Sequence, residues 1–201
     1  AGYPPLTFKA DGKLQGVEVD FATAVAENLK VKTQFVELPG NELIPALNNG
    51  KIDVIMSGMS ITDERSAQVQ FTNPYMRIGQ MALIRSADLV KWARPTALIA
   101  RGAKVGVKAG TTGETFARND LPEAKLTSFP SIDAATDALI AGDIDIFIHD
   151  APTIWRLTAN AATEKAGLMG LYRPLTDEYL AWAVRKKDRA LADALNNSLA
   201  T

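Results

Sequence analysis

The sequence predicts an α/β protein built as two similar lobes, and three observations carry that reading. Short apolar runs of strand length alternate with stretches of helical periodicity along the chain. One pattern returns at identical spacing: Ala46, Leu47, Gly50, Ile52 and Asp53 reappear as Ala138, Leu139, Gly142, Ile144 and Asp145. Each copy runs out of its apolar strand into a polar cluster, Ser57-Gly58-Met59-Ser60 in the first and His149-Asp150 in the second. One repetition is too few for a solenoid. It reads as two lobes, each with a strand end that carries ligand groups.

The elements follow in order. Pro4 and Pro5 exclude regular helix between Tyr3 and Phe8. Asp11-Gly12 marks a turn, and 14–19 alternates as a strand. Asp20 is placed to cap a helix over 21–29, with Phe21, Val25 and Leu29 on one stripe. A second strand is expected over 32–38, then a short helix over 42–48, capped by Asn41 and stopped by Gly50. The run 52–56 is a compact buried strand, and 79–85 another apolar strand. A helix interrupted by Pro95 is expected over 87–99. Strand 104–108 precedes helix 114–119, and strand 125–129 precedes a helix that Ser131 caps and Gly142 ends. Strand 144–149 leads into helix 153–160. Strands at 168–171 and 179–184 precede a helix over 188–199 with Leu191, Leu195 and Leu199 on one face.

Composition narrows the function classes. The 201 residues, 47% of them hydrophobic, suffice for one core or two small ones. A net charge of −1 leaves no electrostatic footprint for nucleic acid or an anionic membrane. The absence of cysteine excludes disulfides and thiolate metal sites and fits an oxidising compartment. A single histidine gives no basis for a histidine-built metal site. No apolar run reaches the ~18 residues of a membrane-spanning helix, and no signal peptide is visible in a sequence that opens at Ala1-Gly2-Tyr3, as secreted mature chains and trimmed chains both do.

The stretch 57–75 carries the chemistry of the first half. A buried strand delivers Gly58, Ser60 and Arg65 to one edge of a sheet, and such edges are where open α/β sheets bind ligands. Thr62 caps a turn whose first residues are Asp63 and Glu64. Arg65 then offers a planar fork suited to a carboxylate, or pairs with Asp63 or Glu64 on a solvated helix. In the second half, Ala109-Gly110-Thr111-Thr112-Gly113 after a strand presents backbone N–H groups suited to an anion, or is an ordinary strand-to-helix turn. It lacks the GK[ST] ending of a P-loop. Asp150 supplies a lone carboxylate, or caps the helix after it. An anion-binding fork and a cation-binding carboxylate on facing walls of a cleft would hold a small zwitterion. Charge-assisted hydrogen bonds of about 1.5–3 kcal/mol each sum to the roughly 8 kcal/mol of a micromolar binder.

The ordered set Tyr3-Pro4-Pro5, Gly16-Val17-Glu18-Val19-Asp20, Ile44-Pro45-Ala46-Leu47-Asn48-Asn49-Gly50-Lys51-Ile52-Asp53, the stretch 58–75, Val105-Gly106-Val107-Lys108-Ala109-Gly110-Thr111-Thr112 and His149-Asp150-Ala151-Pro152 covers nearly the whole chain. It resembles the amino-acid-binding class of bacterial periplasmic solute-binding proteins, the type-II two-lobed receptors of ABC importers, and is nearest to binders of glutamine and other polar amino acids. The resemblance implies a two-lobed fold with residues 1–84 and 179–201 in one lobe, 85–178 in the other, and a hinge near Ile84-Arg85 and Asp177-Tyr179. It implies that Arg65, with the N–H groups of Ser60 and Thr112, clamps a ligand α-carboxylate. Asp150, with the Gly58 carbonyl and the Ser60 hydroxyl, would take the α-ammonium, and Tyr3 would form an aromatic wall. Lys108 and His149 resemble side-chain-reading positions; the alternatives are a solvated strand-end lysine and a partly buried histidine bonded to backbone.

The sequence departs from the family in three places. The family's opening strand with its acidic residue and its closing aromatic-bearing helix are not seen, which reads as a trimmed chain. Gly40 stands where an aromatic is common, so a second aromatic wall is not expected. The expectation is therefore a monomeric, periplasmic or lipid-anchored protein that captures a free L-amino acid for an ABC permease. It would close on its ligand and need no cofactor, metal or nucleic acid. Two rivals share the scaffold: a cyclohexadienyl (arogenate/prephenate) dehydratase, for which Asp150 is the sole candidate acid, and the sensor domain of a receptor.

Overall fold

Each short apolar run flanked by glycine or polar turns is long enough to cross one small core, and the chain forms two such cores. The computed structural model describes residues 2–92, 94, 97 and 102–200. It divides into unit 1, Ala1–Arg77 with Glu178–Thr201, and unit 2, Ile78–Asp177.

Strands β1 (Phe8–Ala10) and β2 (Lys13–Gln15) form a hairpin. Its two turn residues, Asp11 and Gly12, have φ of 50° and 75°, as the twist of a tight hairpin requires. The strand expected over 14–19 ends early, because helix α1 (Val17–Leu29) already starts after Gly16. Asp20 is therefore inside the first turn with Glu18, where the helix dipole favours acids, and is not the cap. The segment 31–39, expected to hold a strand over 32–38, takes part in no ladder among the described residues. Its composition suits a strand, but a ladder needs a partner backbone. Beside it a cavity of about 580 Å³ is lined by this segment, α1 and residues 51–57.

Helix α2 (Leu43–Asn48) follows a 3-10 turn, without a side-chain cap from Asn41. Then come β3 (Val54–Ile55), α3 (Asp63–Ser66), β4 (Gln70–Phe71) and β5 (Met76–Ile78). Unit 2 contributes β6 (Gln80–Arg85) and α4 (Leu89–Trp92). Most of the interrupted helix expected after Trp92, with Pro95, lies outside the described residues. The chain continues through β7 (Lys104–Lys108), α5 (Thr112–Asp120), β8 (Lys125–Phe129), α6 (Ile132–Ala141) and β9 (Ile146–Asp150). It goes on through α7 (Ala151–Thr158), α8 (Ala161–Lys165) and β10 (Leu168–Leu171). Unit 1 is completed by β11 (Glu178–Leu180), β12 (Ala183–Val184) and α9 (Arg189–Leu199).

In unit 1, β12 pairs antiparallel with both β3 and β4. Trp182, Val184 and Val25 meet Ala192 and Leu195 of α9 in one cluster, and Leu47, Ile55, Val69 and Ala183 form another. Unit 2 is a five-stranded sheet of order β10-β6-β9-β7-β8, with β7, β8 and β9 parallel and β6 antiparallel to β9. Alternate residues feed its two faces. Met81, Leu83 and Phe147 meet the residues of α6 and α7, while Ala82, Ile84, Ile146 and Ile148 meet α5. Strand β6 was expected to close the first lobe at residue 84. It instead lies inside the second unit's sheet, because its fully buried run of 81–84 is covered on both faces there.

Candidate functional site

The sequence-designated residues fall on two separate edges, one in each unit. In unit 1, β3 runs out at Gly58, whose φ of +61° suits glycine. A Cβ there would sit 2.5 Å from the Tyr3 ring, so Gly58 and Tyr3 are in contact because position 58 has no side chain. The Gly58 N–H donates to Glu18 Oε1 at 2.6 Å. Ser60 bridges Leu180, and the Ile61 N–H donates to Tyr179 O at 2.8 Å, which ties the loop to β11. Thr62 caps α3 as expected, its hydroxyl accepting the Arg65 N–H at 3.2 Å. The Arg65 guanidinium donates Nη1 to Ser60 O at 2.9 Å, which holds the fork beside the Gly58–Ser60 backbone.

Glu18 was not singled out as a site residue. It is 2% exposed and accepts from the Gly58 N–H, the Tyr75 hydroxyl and Trp182 Nε1. Burial raises its pKa above the usual glutamate value, with the three donors pulling it back. Burial and the nearby Glu18 charge push the Tyr75 hydroxyl upward. A signal was present in the sequence: Glu18 stands one and two turns before the buried Ala22 and Val25, an acid on an apolar stripe.

In unit 2, the carboxyl ends of β7 and β9 place Lys108 and Asp150 at one edge, with Gln80 at the start of β6 and Thr112 at the start of α5. Asp150 is 6% exposed and makes no side-chain cap to α7, so the capping alternative is not what its carboxylate does. Its Oδ1 accepts from Gln80 Nε2, which also donates to Thr112 Oγ1 at 3.2 Å. Thr111 is the N-cap of α5, and the Glu114 carboxylate accepts the Gly110 N–H at 2.8 Å. The turn thus consumes some of its own donors. The Thr112 N–H, at the first helical position, has no intrahelical acceptor and remains the donor suited to an anion. The Ser128 hydroxyl, the Gly110 N–H and Arg118 hold the Glu114 carboxyl down at about 2.

For His149 the resemblance implied a side-chain-reading position, with a partly buried, backbone-bonded histidine as the alternative. Strand alternation turns it to the opposite face from Asp150, next to Phe147 at 5.8 Å between ring centroids. It is 3% exposed, and its Nδ1 accepts the Asp150 N–H at 2.8 Å, which leaves the proton on Nε2. This is the buried, backbone-bonded histidine. By the same alternation Lys108 shares that face, half-buried at the strand end, with its carbonyl accepting the Thr111 hydroxyl. Gln80 was missed; its signal is a lone amide opening the apolar run 81–84. No group of three or more His, Cys, Asp or Glu placed to hold a metal ion occurs among the described residues, and no described helix is long and apolar enough to cross a membrane.

Two α/β units carrying ligand-type groups at strand ends are the build of a binding protein. The chain belongs to the bacterial extracellular solute-binding proteins, family 3, whose model matches residues 1–201. It is similar to the ABC transporter glutamine-binding protein GlnH of Bacillus subtilis, 31% identical over 193 residues that span 94% of this chain and 68% of that protein. It is also similar to the L-arginine-binding protein of Pseudomonas aeruginosa, 34% identical over 207 residues, 99% of this chain and 78% of the other. Among solved structures it resembles the ancestral amino acid-binding protein AncCDT-1, a precursor of cyclohexadienyl dehydratase. That structure has a TM-score of 0.88 and 36% identity, over 100% of this chain and 84% of that one. The protein is a solute binder of the extracytoplasmic kind and not an enzyme.

Proposed function

We propose that this protein captures one free L-amino acid through both edges and hands it to a membrane ABC permease. Arg65, with the N–H groups of Ser60 and Thr112, takes the α-carboxylate; Asp150, with the Gly58 carbonyl and the Ser60 hydroxyl, takes the α-ammonium. Tyr3 lies against the ligand. The observation that carries this reading is the Asp150 carboxylate, held at the sheet edge by Gln80 beside Thr112 instead of capping its own helix. The relatives' names point the same way, toward glutamine in one case and arginine in another. The solute is a polar amino acid, with glutamine the first to test. The protein works as a monomer outside the cytoplasm, free in the periplasm or lipid-anchored, and closes when the ligand engages both units.

A thermal-shift screen of the twenty L-amino acids, followed by calorimetry on the strongest, tests the reading. Arg65→Ala and Asp150→Ala should each weaken binding at least 100-fold while the protein stays folded. Wild-type affinity in both variants would refute the site.

A further inference from the structure

We infer that Gln80 is a positioning residue of the binding site, orienting the Asp150 carboxylate and the Thr112 hydroxyl at once. The inference rests on the proposed reading of Asp150 and Thr112 as ligand contacts. Gln80 is fully buried, and its Cα is the register partner of Asp150 across β6 and β9. Residues 80, 82 and 84 share a face with 146, 148 and 150, so the two side chains leave the sheet on the same side, toward α5.

The amide has two hydrogens on Nε2, and both are used: one goes to Asp150 Oδ1 and the other to Thr112 Oγ1. A carboxylate only accepts, so the amide nitrogen must face it, which fixes the orientation of the group. Two consequences follow from valence. Asp150 has Oδ1 tied to the Gln80 amide, which fixes the rotation of its carboxylate. Thr112 has a lone pair engaged, so its own O–H points elsewhere as a donor, which is the polarity an anion needs. One amide thus makes a carboxylate and a hydroxyl, 38 positions apart in sequence, present opposite polarities at one edge.

Position 113 records the fit. A Cβ on Gly113 would meet Gln80 Oε1 at 2.6 Å. Glycine in the first turn of a helix is unfavourable by propensity, and its presence there is explained by the space the Gln80 amide occupies. The backbone of Gln80 is pinned as well: its N–H donates to Thr176 Oγ1 at 2.9 Å and its carbonyl accepts the Leu175 N–H at 2.8 Å. The amide therefore swings from a fixed base, and its reach of one extra methylene over asparagine is what spans both partners.

The test is calorimetry with the L-amino acid that binds the wild type most tightly among the twenty. The proteins are wild type, Gln80→Met, Gln80→Asn, Asp150→Ala and the Gln80→Met/Asp150→Ala pair, each checked for an intact melting transition. Gln80→Met should weaken binding at least 30-fold, and Gln80→Asn, which keeps the amide but falls short, at least 10-fold. The double variant should bind within threefold of Asp150→Ala alone, because the two residues act as one unit. A residue needed only for packing would give losses that multiply. Such losses, or Gln80→Met binding within threefold of wild type while Asp150→Ala is weakened at least 100-fold, overturn the inference and leave the site reading intact. If Gln80→Met does not fold, the Gln80→Asn result decides by the same threefold limit. Wild type binding none of the twenty overturns both.

Discussion

Arg185 repeats in unit 1, contact for contact, what Arg85 does in unit 2. Arg85 donates Nη1 to the carbonyls of Leu139 and Ile144, Nη2 to Asp145 and Nε to Asp88. Arg185 donates Nη1 to the carbonyls of Leu47 and Ile52, Nη2 to Asp53 and Nε to Asp188. The repeated sequence pattern is therefore the receptacle of a guanidinium, and each arginine is followed three residues later by the acid that orients it. In each unit the clamp ties the end of a helix to the start of the strand whose far end carries the proposed site residues, Gly58 and Ser60 in one and Asp150 in the other. Arg85, expected in the hinge, is this clamp instead.

Removing either clamp strands two carbonyls and two carboxylates. Arg85→Ala and Arg185→Ala should each cost about 2–3 kcal/mol in urea unfolding. The Arg185–Asp53 contact adds little, since Asp53 is 79% exposed. Hydrogen exchange should quicken around 47–55 in Arg185→Ala and around 139–148 in Arg85→Ala. Substitution by lysine should restore less than half of the loss, because an ammonium does not reproduce the fork. Uniform quickening across both units would contradict the clamp.

Glu18 gives stability a pH dependence of definite sign. Its pKa is raised by burial, so the folded chain holds that proton more tightly than the unfolded one. The resulting stabilisation is fully present below the ordinary glutamate range and is lost as pH rises through the raised value. The unfolding free energy of wild type relative to Glu18→Gln should fall with pH across that window, by at most about 1.4 kcal/mol per pH unit. Above it, Glu18→Gln should still be the less stable by about 1–3 kcal/mol, because one amide oxygen cannot serve three donors. A pH-independent difference between the two would rule this out.

Glu114 works in the opposite sense. Its carboxyl is held at about 2 by Ser128, Gly110 and Arg118. It contributes stability above the ordinary glutamate value, and that contribution disappears as pH falls through about 2. Side-chain NMR should give Glu114 the low value, and Ser128→Ala should raise it. Glu114→Gln should flatten the acid limb of the stability curve.

Gly58→Ala should damage binding more than folding. The substitution puts a Cβ in a left-handed backbone at a cost of about 1–3 kcal/mol and drives it into the Tyr3 ring. Affinity for the ligand should fall at least tenfold. Gly142→Ala, at a φ of +83° with open space around it, carries the same backbone strain and should leave affinity unchanged.

Much of this was legible in the residues, and the rest was hidden for physical reasons. Strand β8, strand β10 and helix α6 with its Ser131 cap and Gly142 stop fall where periodicity and capping put them. The start of α1 was misread because Gly16 offers no side-chain cap to recognise. The segment 31–39 has strand composition, but pairing is a property of two backbones. His149 and Asp150 are adjacent in sequence, but neighbours on a strand face opposite ways. Gln80 and Arg85 act through partners 70 and 60 positions away, beyond any local pattern.

The central claim is that a zwitterion is held by its two charges. Calorimetry should compare the best-binding amino acid with its α-amide, which lacks the carboxylate, and its N-acetyl derivative, which lacks the ammonium. Each analogue should bind at least 100-fold more weakly than the parent. Retention of the parent affinity by either analogue would contradict the account.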